Sequence, residues 1–381
     1  MSGAAAEFLA ARARAIKPSP SMAAKTRVDQ LRAQGRDIID FTVGEPDLPT
    51  PAHIVQAGID ALNSGDIRYT ASTGARPLLE AARAKFQREN GLDYALDELI
   101  VGVGAKQLLY TALAATVQAG DEVIIPAPYW VSYPDMVLVN DGTPVVLACP
   151  EADGFKLTPD ALERAITPRT KWLLLNTPSN PTGAMYSAQE LRDLAAVLLR
   201  HPQVWLMTDE IYEHLAYGDQ RHASPAAVAP ELAGRTLTIN GVSKAYAMTG
   251  WRLGYAGGPK ALIKAMATLI SQSTSCVSAI SQAAARVALS ADQACVGEAA
   301  AVFHARRDRI VALLDAVPGI RCPRPQGAFY VYPCVEGLLG RRTPGGATLR
   351  TDLDVVMFLL DDAGVAVLDG TAYGLSPYLR L

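Results

Sequence analysis

The sequence predicts an α/β protein: a large, mostly parallel seven-stranded sheet sandwiched by helices, with a smaller α+β unit attached. Two observations carry this expectation. Seven short, nearly continuous apolar runs recur between residues 99 and 258, and helical patterns lie between several of them. That alternation is what parallel strands covered on both faces look like in sequence. The chain also has 381 residues, half of them apolar and 19% charged, enough for a large core and a second unit.

Taken in order, the start "MSGAAAEFLAARARAIKPSP" lacks the apolar segment of a secretory signal. Arg12 and Arg14 would suit a transit peptide and Glu7 would not, so a cytoplasmic protein is expected. Residues 1–45 read as an N-terminal segment contributing to a small domain, 46–285 as the large domain and 286–381 as the C-terminal small domain. The strand candidates are "LIVGV" (99–103), "EVIIP" (122–126), "PVVLA" (144–148), "KWLLLN" (171–176), "VWLMTD" (204–209), "TLTIN" (236–240) and "LGYAGG" (253–258). Helical patterns fall at 106–118 and 187–200, and a further one, 301–317, precedes "GAFYVYPCV" (327–335). The longest uncharged stretch, 265–285, is too rich in Ser, Thr and Gln for a membrane span.

The formal net charge is −3 and no block of basic residues occurs, so nucleic acid is not an expected partner. Five cysteines (149, 276, 295, 322 and 334) without CxxC spacing fit free thiols in a reducing compartment. His214 and His222 lack the HExxH spacing of a metal hydrolase, and no metal site is expected.

In open α/β sheets, ligands bind beyond the carboxyl ends of the strands, and the unusual polar residues fall there. "GVGAKQ" (102–107) is a glycine turn opening a helix, which suits a phosphate and equally suits a plain tight turn. Its third glycine position holds Gln107, which argues against a dinucleotide fingerprint. Arg252 could add a forked contact to the same phosphate. Asp209 ends an apolar strand, where a carboxylate is costly unless paired. It fits the cap of a following helix, and it fits the partner of a protonated ring nitrogen. Tyr212, three residues on, would share its side of a first helical turn. Lys244, at the lip of "TLTIN", fits a solvated loop residue or a nucleophile forming a Schiff base with an aldehyde cofactor. Together these are the parts of a pyridoxal-phosphate site.

The motifs "FTVGEPDLPTP" (41–51), "RYTASTG" (68–74), "GAKQ" (104–107), "PYWVSYP" (128–134), "NTPSNPTG" (176–183), "TDEIYEHL" (208–215) and "SKAYAMTGWRLGY" (243–255) stand in series over nearly the whole chain. In that order they resemble the fold-type I pyridoxal-phosphate-dependent class I aminotransferases, of the aspartate aminotransferase kind. The resemblance implies Lys244 as the Schiff-base lysine and proton shuttle, Asp209 as the pyridinium partner, and Asn180 and Tyr212 on the ring 3-oxygen. It implies Trp130, otherwise an ordinary core aromatic, stacked on the ring, with Gly104, Ala105, Lys106 and Arg252 on the phosphate. Tyr69 would reach the partner subunit's phosphate, implying a homodimer with shared active sites. Gly44, Trp130, Asn180 and Arg380 would meet the substrate, and Lys106 could also meet a second carboxylate.

The expected reaction is a ping-pong transfer of an amino group from an L-amino acid, aspartate first, to a 2-oxo acid, 2-oxoglutarate first. Aromatic or other amino acids, a β-lyase on the same fold and a non-catalytic regulatory module are the alternatives. Family members continue past the position of Leu381 with a helical segment, so Arg380 is expected at a fraying terminus.

Overall fold

The computed structural model describes residues 8–16 and 20–381. Residues 1–7 and 17–19, part of the predicted N-terminal segment and including Glu7, lie outside the described residues.

All seven predicted strands form: β1 (Leu99–Gly102), β2 (Glu122–Ala127), β3 (Thr143–Ala148), β4 (Thr170–Asn176), β5 (Trp205–Asp209), β6 (Thr236–Gly241) and β7 (Gly254–Gly257). They make one sheet in the order β1-β7-β6-β5-β4-β2-β3. Only β7 runs antiparallel to its neighbours, β1 and β6. The carboxyl ends of β1, β4, β5 and β6 therefore share one edge with the amino end of β7, which Arg252 precedes.

Side chains on alternate strand positions go to opposite faces. Trp172, Leu174, Met207 and Ile239 pack with helices α3 (Ala105–Thr116) and α6 (Lys260–Ser271), whereas Leu173, Leu175 and Leu206 pack with α5 (Ala188–Arg200). At the β1 edge, Leu99, Val101 and Tyr255 close against α1 (Ala52–Ser64), α2 (Arg76–Lys85) and α7 (Ala279–Ser290). Helix α5 starts where predicted because Ser187 Oγ accepts from the Glu190 N–H and the Glu190 carboxylate accepts from the Ser187 N–H.

The remaining elements pack around shorter ladders. Ile39–Asp40 pairs in parallel with Val365–Ala366, and Leu368–Asp369 pairs antiparallel with Leu379–Arg380. Val28, Leu31, Ile38, Leu360 and Ala366 form one small core there, so the N-terminal segment packs against the end of the chain. Helix α8 (Ala294–Asp315) leads into these elements and α9 (Asp352–Asp362) lies within them.

Two expectations need correction. No helix follows Asp209: residues 211–214 form turns, with the Glu213 N–H bonded to the Glu210 carbonyl and the Leu215 N–H to the Tyr212 carbonyl. The Glu210 N–H is drawn instead to the Ile239 carbonyl, which extends the sheet edge. Nor does Arg380 fray. It is 2% exposed, its strand is paired, and the Leu381 N–H bonds the Val331 carbonyl at 3.2 Å.

Behind β5 and β6 lies a polar layer that composition and spacing gave no sign of. Lys85 is fully buried, in ion-pair contact with Glu213 and 2.7 Å from Asn90 Oδ1. Asn90 and Asn240 also donate to Glu213, at 2.5 and 2.7 Å; burial opposes its charge, but Lys85, with His214 and His222 nearby, holds its carboxyl well below the usual range. Alongside, His222 meets Glu210, which also accepts from Thr208 and Ser224. Removing one partner of a buried pair strands the other charge. Lys85→Met is therefore expected to destabilise the protein by about 3–5 kcal/mol, read as a lowered urea midpoint; an unchanged midpoint would show that Glu213 is held without it.

Candidate active site

The shared strand edge opens into a cavity of about 360 Å3. Its lining includes Gly44, Gly104, Ala105, Lys106, Trp130, Asn180, Asp209, Tyr212, Lys244, Arg252 and Arg380, so every predicted site residue except Tyr69 is brought together. Tyr69 is 91% exposed and stands away from this cavity. A second hollow of about 480 Å3, bordered by Phe41, Phe303, Leu313 and Leu381, shares only Val43, Glu45 and Tyr330 with it.

The turn after β1 sets one end of the cavity. Gly104 has φ +79°, and a Cβ there would lie 2.7 Å from Arg252 Nη2. Arg252 itself has φ +55° and donates from Nη1 to the Thr249 carbonyl at 2.9 Å, which aims its guanidinium across the turn. Gly254 is equally constrained, since a Cβ would meet the Ala105 nitrogen at 2.4 Å. Lack of a side chain lets β7 approach the amino end of α3, whose free N–H groups attract an anion. Burial and the neighbouring Arg252 push the Lys106 ammonium below its ordinary value. An anion between these two cations would relieve both, so the donor set fits a phosphate.

Asp209 lies in the middle of the edge and is 4% exposed. Burial pushes its carboxyl up to about 6, against hydrogen bonds from the Tyr133 hydroxyl at 2.8 Å and the Ile211 N–H at 3.4 Å. A cationic ring nitrogen is the kind of partner that would restore its charge. Asn180 Oδ1 is buried with no partner among the described residues; as an acceptor it cannot hold a ring oxygen, a task that falls to the donor Nδ2 of the same amide. The cationic and N–H donor set about Gly104 and the buried Asp209 fit pyridoxal phosphate.

Lys244 donates to the Gly44 carbonyl at 2.6 Å. Burial lowers its ammonium to about 8, helped by Arg380 and opposed by Glu45 and Asp209. A lysine in that range has a usable free amine near neutral pH. Trp130 packs edge-on against Tyr133, and Lys106 lies over its ring at 4.7 Å.

Arg380 donates from Nη2 to the Thr42 carbonyl at 2.6 Å and lies over the faces of Tyr330 and Tyr373. Its Nε–H is buried with no partner among the described residues, leaving part of the fork for a carboxylate.

Three contributors escaped the sequence reading: Tyr133, Tyr330 and the Thr42 carbonyl. Tyr133 stands in the quoted "PYWVSYP", three residues after Trp130 and in the first turn of α4 (Ser132–Val139), where its N–H bonds the Trp130 carbonyl at 3.0 Å. Nothing in "GAFYVYPCV" distinguishes Tyr330 from Tyr332 as the one facing the cavity.

A family model described as aminotransferase class I and II matches residues 36–381. An aspartate aminotransferase of Rhizobium meliloti (strain 1021) is 52% identical over 372 residues, covering 98% of this chain and 91% of the relative. An aspartate/prephenate aminotransferase of Cereibacter sphaeroides is 52% identical, covering 96% and 92%. Among solved structures, the aspartate aminotransferase from Rhizobium meliloti has a TM-score of 0.96 at 52% identity, covering 98% of this chain and 93% of that one. The aspartate aminotransferase from Thermus thermophilus with maleate has a TM-score of 0.91 at 42% identity, covering 98% and 94%.

Gly104→Ala is expected to push Arg252 off the turn and weaken binding of a phosphate-bearing ligand roughly ten- to hundredfold, the worth of one charge-assisted hydrogen bond. Titration of pyridoxal phosphate against Trp130 fluorescence measures this, and an unaltered affinity would place the phosphate elsewhere.

Proposed function

Because the chain belongs to the aminotransferase class I and II family, which depends on pyridoxal phosphate, we propose that it transfers the amino group of L-aspartate to 2-oxoglutarate in two half-reactions at one site. The observation that carries this reading is the convergence of Lys244, Asp209, Tyr212, Asn180, Arg252 and Arg380 on one cavity. The names of the 52%-identical relatives favour aspartate as the donor. The Thermus structure binds maleate, a dicarboxylate, which favours substrates with two carboxylates.

Bound pyridoxal phosphate supplies an aldehyde that links to amines and a ring that takes up the electron pair left when the substrate α-proton departs. Lys106, Arg252 and the amino end of α3 hold its phosphate. Asp209 keeps the ring nitrogen protonated, and Tyr133, donating to Asp209, keeps that carboxylate ionised. Asn180 and Tyr212 bind the ring oxygen, and Trp130 covers one ring face. Lys244 would hold the aldehyde, and its amine, when not so engaged, would take up and return the substrate α-proton. Arg380, beside Gly44, takes the α-carboxylate in a fork, and Lys106 meets the second carboxylate.

Residues 46–285 act in this reading as the large domain, with 286–381 and the N-terminal segment as the small one. Tyr69, exposed on its own chain, serves the phosphate of a partner subunit, so the working unit is a homodimer. The setting is cytoplasmic; no helix among the described residues is long and apolar enough to cross a membrane. The Cereibacter relative's name adds prephenate as a second oxo acid to assay.

Adding L-aspartate to the cofactor-loaded protein, without oxo acid, is expected to remove the cofactor's visible band and release oxaloacetate. A persistent band with no oxaloacetate would overturn aspartate as the substrate. Lys244→Ala should abolish turnover, and turnover retained there without added amine would refute the lysine's role. Cofactor capture needs the free amine, so its rate should rise about tenfold per pH unit and level off above about pH 8. A rate still rising to pH 10 would mean that burial does not free the amine.

A further inference from the structure

The Tyr212 and Tyr330 hydroxyls lie 2.8 Å apart, both buried, and either can donate. Tyr330 has no other hydrogen-bond partner among the described residues. Its ring is held on several sides. A Cβ on Gly44 would lie 2.2 Å from its hydroxyl, Phe329 packs against it at 4.7 Å, and the Arg380 guanidinium lies 5.0 Å over its face. The hydroxyl therefore cannot swing away from Tyr212 without moving the Gly44 or Arg380 segments. A tyrosine has one proton and two acceptor sites. Tyr212 can give its proton to Tyr330 or to an oxygen in the cavity, not to both.

We infer that Tyr330 is a positioning residue that donates to Tyr212 and so directs the Tyr212 proton into the cavity, onto the ring oxygen of bound pyridoxal phosphate. The inference rests on the proposed aminotransferase reading. With an acceptor beside Tyr212, the order Tyr330 to Tyr212 to ring oxygen satisfies all three groups, and aligned hydrogen bonds strengthen one another. The charged groups facing this pair are Asp209 and Arg380, with Lys244 5.7 Å from the Tyr212 ring. Tyr330 thus ties the Gly44–Arg380 end of the cavity to the proton that tunes the cofactor.

The effect has a definite sign. A proton donated to the ring oxygen draws charge from it and weakens its hold on the proton it shares with the Lys244 nitrogen. Loss of the Tyr330 hydroxyl should weaken the Tyr212 bond, leave that oxygen more basic and keep the shared proton bound to higher pH. Tyr330→Phe keeps the ring and removes one oxygen. In the cofactor-loaded protein it is expected to raise the pH midpoint of the visible absorbance change by roughly half a unit to one unit. Tyr212→Phe should raise it further, and adding Tyr330→Phe to that variant should change nothing more. A midpoint that stays, falls, or rises equally in both backgrounds would overturn the inference. Wild-type protein that takes up no pyridoxal phosphate would overturn the inference together with the aminotransferase reading. A normal wild-type titration with an unmoved Tyr330→Phe midpoint would overturn the inference alone.

Discussion

A carboxylate shut away from water at the end of a strand can stay charged only beside a cation, and Asp209 is held in that condition by the sheet itself. Its backbone is fixed on both sides by neighbouring strands: β4 pairs Asn176 with Asp209, and β6 pairs Ile239 with it. The side chain consequently cannot retreat to solvent. Tyr133 and the Ile211 N–H lower the burden without removing it, and burial still leaves the carboxyl near 6. Asp209 is prepared for a cationic partner, and none of the described residues supplies one at contact distance. The rest of the cavity is arranged about that unmet charge.

The other charges run the opposite way. Lys106, Lys244, Arg252 and Arg380 line the cavity against the two carboxylates Glu45 and Asp209. A surplus of cations in a partly closed space favours anionic occupants, and it adds to the burial that chiefly lowers the ammonium groups of Lys106 and Lys244. A phosphate and a dicarboxylic amino acid bring the compensating negative charge, while an apolar amino acid would leave part of it unmet. Burial frees the amine of Lys244, and the surplus that favours the anionic ligand works in the same direction through Arg380.

The sheet was legible because seven apolar runs in a polar-punctuated chain have few other uses, and the ends of those runs located Asp209, Lys244 and the Gly104 turn. What followed Asp209 was not legible. "EIYEHL" carries a helix-like spacing, but Glu210 and Glu213 turn inward to His222 and Lys85, and those buried pairs outweigh local propensity. Their partners lie far off in sequence, Lys85 128 residues from Glu213, so no local pattern could announce them. Tyr330 escaped for a related reason: a run with three aromatic residues fixes no register until Gly44 and Arg380 have been placed around it. The fraying expected at Arg380 failed because sequence shows a position along the chain and not the strand, carbonyl and aromatic faces that gather there.

Those anchors also explain why arginine, and not lysine, suits position 380. One end of the guanidinium is spent on the Thr42 carbonyl, and its flat faces rest on Tyr330 and Tyr373. The Nε–H, without a partner among the described residues, lies on the same rigid plane, so fixing one end fixes the direction of the other. An ammonium would bring charge without that plane: bonded to Thr42 it would have no oriented donor left, and turned toward a carboxylate it would abandon the carbonyl. The interaction that buries Arg380 is therefore the one that aims it.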